Sequence, residues 1–379
     1  MLRLLFRGLL RVSRMLDFRG KRYLRRLESR RYLRSVCLDG LSYYPGEPRK
    51  TEKQIRQELF ALMSEDRGSW SDEMTLTQYF QFGCDRASAD VDSFVFQKEF
   101  DRARDSLNGR LAPLFDYKNV AGVYLNACGV KASCAIGQMS QDGQQICLRD
   151  GSGREFVAWL REYAAPVFCK PNDGCQGKSC YRVEWREEEA SLYLNGERQA
   201  VQDALRVIAG HIVEPLIVQH QDMRRYSPNC ANPLRIRTLC VGGEIRYIST
   251  YICIAPADAY FSNVVRCGVA VGLDETGRCI TDGFCEMPGK EGRSQLVPGT
   301  DIRLDEIVIP GVKEAIELAK AAHRTTPQIF AMGWDVAVTD EGPIIIEGNP
   351  RFGSCTYQAI SGMGERMYFE QEFKSRLHN

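Results

Sequence analysis

Asp335 and Glu347 carry the strongest chemical signal in this chain. Both lie in GWDVAVTDEGPIIIEGNP, residues 333–350, where two β-rich runs flank Asp340-Glu341-Gly342. That tripeptide suits a tight turn, although Pro343 just after it makes the first pair irregular. A hairpin centred on Glu341 sets residue 335 opposite residue 347, and period-two alternation adds Asn349 to the same face. Like charges directly opposed destabilise a sheet. A hard divalent cation removes that penalty, because carboxylate and amide oxygens are the ligands magnesium prefers. Ile344 and Ile346 then point the other way and anchor the hairpin in the core. The competing reading is a hairpin with a solvated acidic face. Against it, Glu347, Asn349 and Arg351 follow directly on a buried strand, and a strand end holds side chains rigidly yet within reach.

A second constellation is FCKPNDGCQGKSC, residues 168–180. Lys170 ends a short strand, Gly174 and Gly177 let backbone amides approach phosphate oxygens, and Lys178 adds mobile positive charge. A Walker loop would need glycine where Asn172 stands, and the YRVEW that follows reads as a strand rather than a helix. The segment therefore suits a β-hairpin lid over a triphosphate, with a purely structural glycine turn as the alternative. In NPLRIRTL, residues 232–239, Arg235 and Arg237 share one strand face and form a fork for phosphate or carboxylate oxygens; a salt-bridge network would serve them equally. The hydrophobic IVEPLIV run ends at Gln219 and His220. Such a strand can line an adenine pocket with main-chain groups, with Glu214 or a neighbour reaching a polar edge, while the histidine can equally be an ordinary hydrogen-bonded imidazole. His211, His323 and His378 gather around no nucleophile, and there is neither a GxSxG nor a cysteine-protease pattern.

The elements that must position these residues belong to an α+β chain. Val167 to Lys170 and Ser179 to Trp185 read as strands flanking the glycine turn. His211 to Gln219 and Leu234 to Ala257 read as further strands, the latter broken at Gly242-Gly243. Val312 to His323 is helical, with Val312, Ile316 and Ala319 on one face and Glu314, Glu317 and Lys320 towards solvent. From about Thr51 to Asn108 the composition is helical and carries no assignable chemistry.

With 379 residues, 44% hydrophobic and 26% charged, the chain can bury a large core. No run approaches the roughly 18 uninterrupted apolar residues that span a bilayer. The 15 cysteines form no CxxC pair and no zinc-finger spacing, which fits reduced thiols in a cytoplasmic enzyme. The net charge of +1 hides an asymmetry: residues 1–34 hold twelve basic side chains against Asp17 and Glu28, a balance of +10 that leaves −9 for the rest. Arg3, Arg7, Arg11 and Arg14 oppose Leu5, Leu9, Val12 and Leu16 on a projected helix. This basic amphipathic segment suits an anionic membrane surface, or packing on this protein or a second copy in a homodimer. Arg7 and Arg11 break any secretory h-region, and no nucleic-acid module surrounds the arm.

Lys118 before a variable segment, VFCKPNDGCQGKS, the IVEPLIVQH hinge, NPLRIRTL and GWDVAVTDEGPIIIEGNPRFG together resemble the ATP-grasp superfamily. More narrowly they resemble its sugar-transfer-associated branch, linked to polysaccharide and cell-surface biosynthesis. The resemblance covers about residues 112–360, and the order of motifs is more specific than any one of them. It implies an ATP-grasp fold with a Gly-rich β-hairpin lid and an added N-terminal helical region. It also implies ATP and magnesium as cofactors and a small-molecule carboxylate with an amine or sugar as substrates. Carried over, Lys118 and Lys170 touch ATP phosphates, Gly174, Gly177 and Lys178 form the lid, and Glu214, Gln219 and His220 lie at the adenine and ribose. Arg235 and Arg237, with Lys170, serve catalysis; Asp335, Glu347 and Asn349 hold magnesium. Two departures stand out: an insertion with Asp222 and Arg224 follows the hinge, and Pro350-Arg351-Phe352 ends the last motif, which points Arg351 towards acceptor specificity. The implied division is a basic arm at 1–38, a helical accessory region at 39–111, a linker at 112–165, a lid subdomain at 166–218 and a core subdomain with the metal site at 219–379. The implied reaction is carboxylate–amine ligation through an acylphosphate. Phosphotransfer to a sugar or polyol hydroxyl, or a non-catalytic nucleotide-binding scaffold, are the alternatives.

Overall fold

The computed structural model describes residues 18–173, 179–263, 267–287 and 289–377, with 18–22 as backbone only. The lid residues Gly174, Gly177 and Lys178, the amphipathic stretch from Arg3 to Leu16, and His378 lie outside the described residues. No helix among the described residues is long and apolar enough to cross a membrane.

Contacts divide the chain into two compact units, one formed by residues up to 106 together with those from 353 onward, the other by residues 107–352. The first unit is helical. Its helix Glu52–Ser64 begins at a capping box, in which Thr51 and Gln54 satisfy each other's main-chain N–H groups. Ile55, Leu59, Leu62 and Met63 then fall on one buried face. The C-terminal residues belong here rather than with the sheets, unlike the 219–379 division read from sequence. Gln358 accepts from the Val95 N–H at 2.9 Å and donates to the Val95 carbonyl at 2.8 Å, and Phe373 packs on Phe100 with ring centroids 5.2 Å apart.

The second unit holds two sheets in which every strand pair is antiparallel. The first sheet contains β1 (Gly137–Met139), β2 (Gln145–Leu148), β3 (Gly153–Glu155), β4 (Val167–Lys170), β5 (Tyr181–Arg186), β6 (Ser191–Leu194), β7 (Glu197–Gln199) and β8 (Ile212–Pro215). Their order is β3-β2-β1-β8-β4-β5-β6-β7, so residues 137–155 share the sheet that the sequence confined to 166–218. One face buries Val167, Cys169, Val183 and Val213 beneath helices Phe156–Tyr163 and Val201–Ile208. Alternation sends Lys170 and Glu214 to the other face.

The second sheet contains β9 (Leu234–Val241), β10 (Glu244–Ile254), β11 (Val269–Leu273), β12 (Gly283–Cys285), β13 (Gly292–Ser294), β14 (Ala331–Thr339) and β15 (Gly342–Asn349), ordered β13-β12-β11-β10-β9-β14-β15. Leu234, Ile236, Ile252, Trp334, Val336 and Ile345 share one core cluster with Val312, Ala315, Ile316 and Ala319 of helix Val312–Arg324. The opposite face carries Arg235, Arg237, Tyr251 and Asp335.

The β14–β15 hairpin departs from the expected geometry in one respect. Thr339 pairs with Gly342, so the turn has two residues, Asp340 and Glu341, and is not centred on Glu341. A register shift after the Val336–Ile345 pair leaves Ile346 as an extra residue, and beyond it Asp335 does face Glu347. The bulge also moves the core anchor. Ile345 is buried, whereas Ile344 and Ile346, expected in the core, are only half-buried.

Candidate functional site

The segment 131–136 ties the two sheets together. The Ser133 N–H donates to the Ile345 carbonyl on β15 at 2.7 Å, the Ile345 N–H donates to the Lys131 carbonyl at 3.0 Å, and the Ile136 N–H donates to the Val213 carbonyl on β8 at 2.7 Å. Helix Lys118–Ala127 lies directly against this segment, because Gly122 has no Cβ; one there would stand 2.2 Å from the Ser133 carbonyl oxygen. At that helix's first turn, Asn172 from the loop after β4 accepts the Lys118 N–H through its carbonyl at 3.2 Å and the Asn119 N–H through its side chain at 3.1 Å. Asn172, which excluded a Walker loop, thus fastens the chain just after β4 to the helix that carries Lys118.

Side chains from several elements converge here. Lys170 at the end of β4 pairs with Glu214 of β8 at 2.8 Å, both almost fully buried, and Ser133 Oγ donates to the same Glu214 oxygen at 2.8 Å. Lys118 stands 3.6 Å from Glu347 on β15. Cys180, just before β5, lies within electrostatic reach of Lys170, Lys118, Glu347 and Glu214, and burial pushes its thiol up against the pull of the two lysines.

Beside this group Arg235 of β9 grips Asp335 of β14 with two parallel bonds, Nε to Oδ1 and Nη2 to Oδ2, the latter at 2.9 Å. Gly333 leaves room for that arginine, since a Cβ there would lie 3.4 Å from its Cδ and 2.9 Å from Phe352. Arg237 is buried on the same face and donates to Ser249 Oγ at 2.6 Å. Glu347 has 30% of its side-chain surface open. Even so, loss of hydration and then the opposed Asp335 hold its carboxyl above the usual carboxylate range, despite the lowering pull of Lys118, Lys170 and Arg235.

The opposed carboxylates, expected to share a cation, each have a basic side chain beside them. Arg235 holds Asp335, and Lys118 stands 3.6 Å from Glu347. Asn349 accepts the Arg351 N–H at 2.9 Å, leaving its second oxygen lone pair unclaimed among the described residues. Glu347, Asn349 and a shared Asp335 fit magnesium, which takes one or two carboxylates, phosphate oxygens and water. Among the described residues no group of three or more His, Cys, Asp or Glu side chains is placed to hold a metal ion, so the set rests on two carboxylates and an amide.

The residue match runs from 103 to 370, against a family model described as sugar-transfer associated ATP-grasp. The chain belongs to that family. This ATP-grasp protein is 13% identical to the L-amino acid ligase from Bacillus licheniformis over 65% of its own length and 43% of that chain, with a TM-score of 0.37. Against the VanG D-Ala:D-Ser ligase from Enterococcus faecalis the identity is 12%, over 71% of this chain and 62% of that one, with a TM-score of 0.40. It therefore spans less than half of the first of these structures and under two thirds of the second. No curated protein matches it.

Not all of the residues singled out from the ATP-grasp motifs come together. Lys118, Lys170, Glu214, Arg235, Asp335 and Glu347 do. Glu214 is spent on Lys170 and Ser133 rather than open to a base edge. Gln219 is buried, with its amide donating to the Ser227 carbonyl at 2.6 Å and accepting the Asn232 N–H at 3.0 Å, so it is a tie within its own loop. His220 caps helix Gln221–Arg224 by accepting the Asp222 N–H at 3.2 Å, near the hairpin tip, where Asp340 accepts from Arg224 at 3.0 Å. Before it, the main-chain groups of residues 216–218 bond to no described residue. Arg351 pairs with Asp116. Ser133 and Asn172 carried no site signal in the sequence, because each acts through a partner distant along the chain.

Proposed function

We propose that this ATP-grasp protein is a magnesium-dependent carboxylate–amine ligase that works through an acylphosphate. Its setting would be the assembly of cell-surface polysaccharide or a related secondary metabolite. The observation that supports this most is the convergence of Lys118 and Lys170 on the carboxylate face formed by Glu347 and Asp335. Cations for a triphosphate stand beside oxygens for the metal that accompanies it, and no side-chain nucleophile is required.

In this reading a carboxylate oxygen of the substrate attacks the γ-phosphorus of ATP and ADP leaves; an amine then attacks the acyl carbon and phosphate leaves. Magnesium, held by Glu347, Asn349 and Asp335, would supply charge neutralisation between the terminal phosphates. Lys118 and Lys170 bind phosphate oxygens, and Lys170 exchanges part of its contact with Glu214 for them. Arg235 keeps Asp335 in place, while Arg237 faces the reacting group. The open main chain at 216–218 receives the adenine, and the lid at 174–178 excludes water from the acylphosphate.

Incubation with ATP, magnesium and a panel of amino acids and carboxylated sugars tests the proposal. ADP and free phosphate released in equal amounts only when an amine is present, with an amide product in the mass spectrum, supports it. A phosphorylated sugar without free phosphate replaces it with phosphotransfer.

A further inference from the structure

Helix Phe18–Ser35 has two unlike sides. The inner side is fixed within its own unit: Arg25 pairs with Asp72 at 2.9 Å and donates to the Met63 carbonyl at 3.2 Å, and Ser29 and Leu33 are buried. Arg56 donates to the Leu33 and Val36 carbonyls, holding the helix end. Tyr23, Arg26, Leu27, Arg30, Arg31 and Arg34 project on the other half of the helix and are all exposed, Tyr23 by 64% and Leu27 by 44%. Arg30 leans over the Phe60 ring, and Glu28 stands at the margin. Arg26, Arg31 and Arg34 meet no carboxylate among the described residues, whereas Arg25, Arg49, Arg67 and Arg366 of the same unit all do.

We propose that this outer face docks flat on the surface of an anionic lipid bilayer. Uncompensated guanidinium groups are drawn to anionic headgroups and bind their phosphates through two donors at once. The apolar pair decides between partners. Tyr23 and Leu27 lie in the middle of the arginines, where a membrane interface accepts an aromatic ring and an aliphatic side chain. A nucleic-acid backbone would use the arginines and give Leu27 nothing. Because the inner side is already packed, the face is presented preformed, along about 18 Å of helix.

The test is co-sedimentation of the full chain with vesicles of phosphatidylcholine alone and with an increasing share of phosphatidylglycerol, at low and physiological salt. Binding that rises with phosphatidylglycerol, weakens with salt and falls at least about tenfold in Arg26→Gln/Arg31→Gln/Arg34→Gln supports the proposal. So does a fall in Tyr23→Ser/Leu27→Ser, whose charge is unchanged, and retention in the corresponding triple lysine variant. Thermal melts of every variant show that the helix stays packed. Equal vesicle binding by wild type and a folded triple glutamine variant overturns the proposal, as does equal binding to pure phosphatidylcholine. Tighter binding to duplex RNA or DNA that ignores Leu27, or self-association lost in the variants without any vesicle binding, also overturns it.

Discussion

Arg235 on β9 holds both carboxylate oxygens of Asp335 on β14, across a gap of 100 residues in sequence. Beside this ion pair, Glu347 lies directly opposite Asp335, with Lys118 3.6 Å away. Removing one member of such a pair strands the other. Asp335→Asn is therefore expected to destabilise the protein by about 2 kcal/mol, less than a deeply buried pair would, because both side chains keep some exposure. The double variant Arg235→Gln/Asp335→Asn recovers part of that loss. Urea unfolding of the four proteins checks it, and additive single effects would show that the contact contributes nothing.

Glu347→Gln is expected to lower magnesium-dependent turnover at least about tenfold. The carboxyl is held above its usual range, so it takes up a proton before an ordinary glutamate does as pH falls. Wild-type protein should need more magnesium for half-maximal rate towards acid pH, and the variant should lose that dependence. Identical magnesium titrations of the two proteins would remove Glu347 from the metal site.

Ser133 couples Glu214, and through it Lys170, to the main chain beside β15. A hydrogen bond to a charged group is worth about 1.5–3 kcal/mol, so Ser133→Ala is expected to raise KM for ATP roughly tenfold with a smaller effect on kcat. Ser133→Thr keeps the hydroxyl and should restore binding. A variant that is less stable but has an unchanged KM would make Ser133 a structural residue only.

His323 is fully buried between Thr238 and the Ile329 carbonyl, and burial lowers its pKa from 6.5 to about 4. Below the unfolded value the unfolded chain binds the proton and the folded chain does not, so stability falls as pH drops from about 6.5 towards 4, by up to about 3 kcal/mol. Glu347, with its raised carboxyl, pushes the opposite way. The difference between wild type and His323→Gln isolates the histidine. Chemical denaturation at pH 5 and pH 7 should show a smaller loss in the variant, and parallel losses would contradict the burial argument.

Local pattern made much of this legible. The alternation in β9, the glycine break before β10 and the amphipathic stripe of helix Val312–Arg324 are each written within a few residues of one another. The facing of Asp335 and Glu347 was legible too, but for an incomplete reason: an odd-length turn was expected, and a two-residue turn plus a bulge at Ile346 restores the same pairing. What alternation cannot reveal is which strands become neighbours. Nothing near Arg235 names Asp335 as its partner, nothing near Gly122 signals that Ser133 must lie against it, and nothing in residues 353–377 marks them as companions of helices at the other end of the chain. The same long-range packing claims Gln219 for its own loop, which its position after a hydrophobic run does not disclose.

Transfer of oxygen between substrates tests the acylphosphate most directly. With both carboxylate oxygens of an accepted substrate labelled with oxygen-18, the phosphate released with ADP should carry one labelled oxygen for every amide formed. Phosphate without label, or label retained entirely in the organic product, would contradict attack of the carboxylate on ATP.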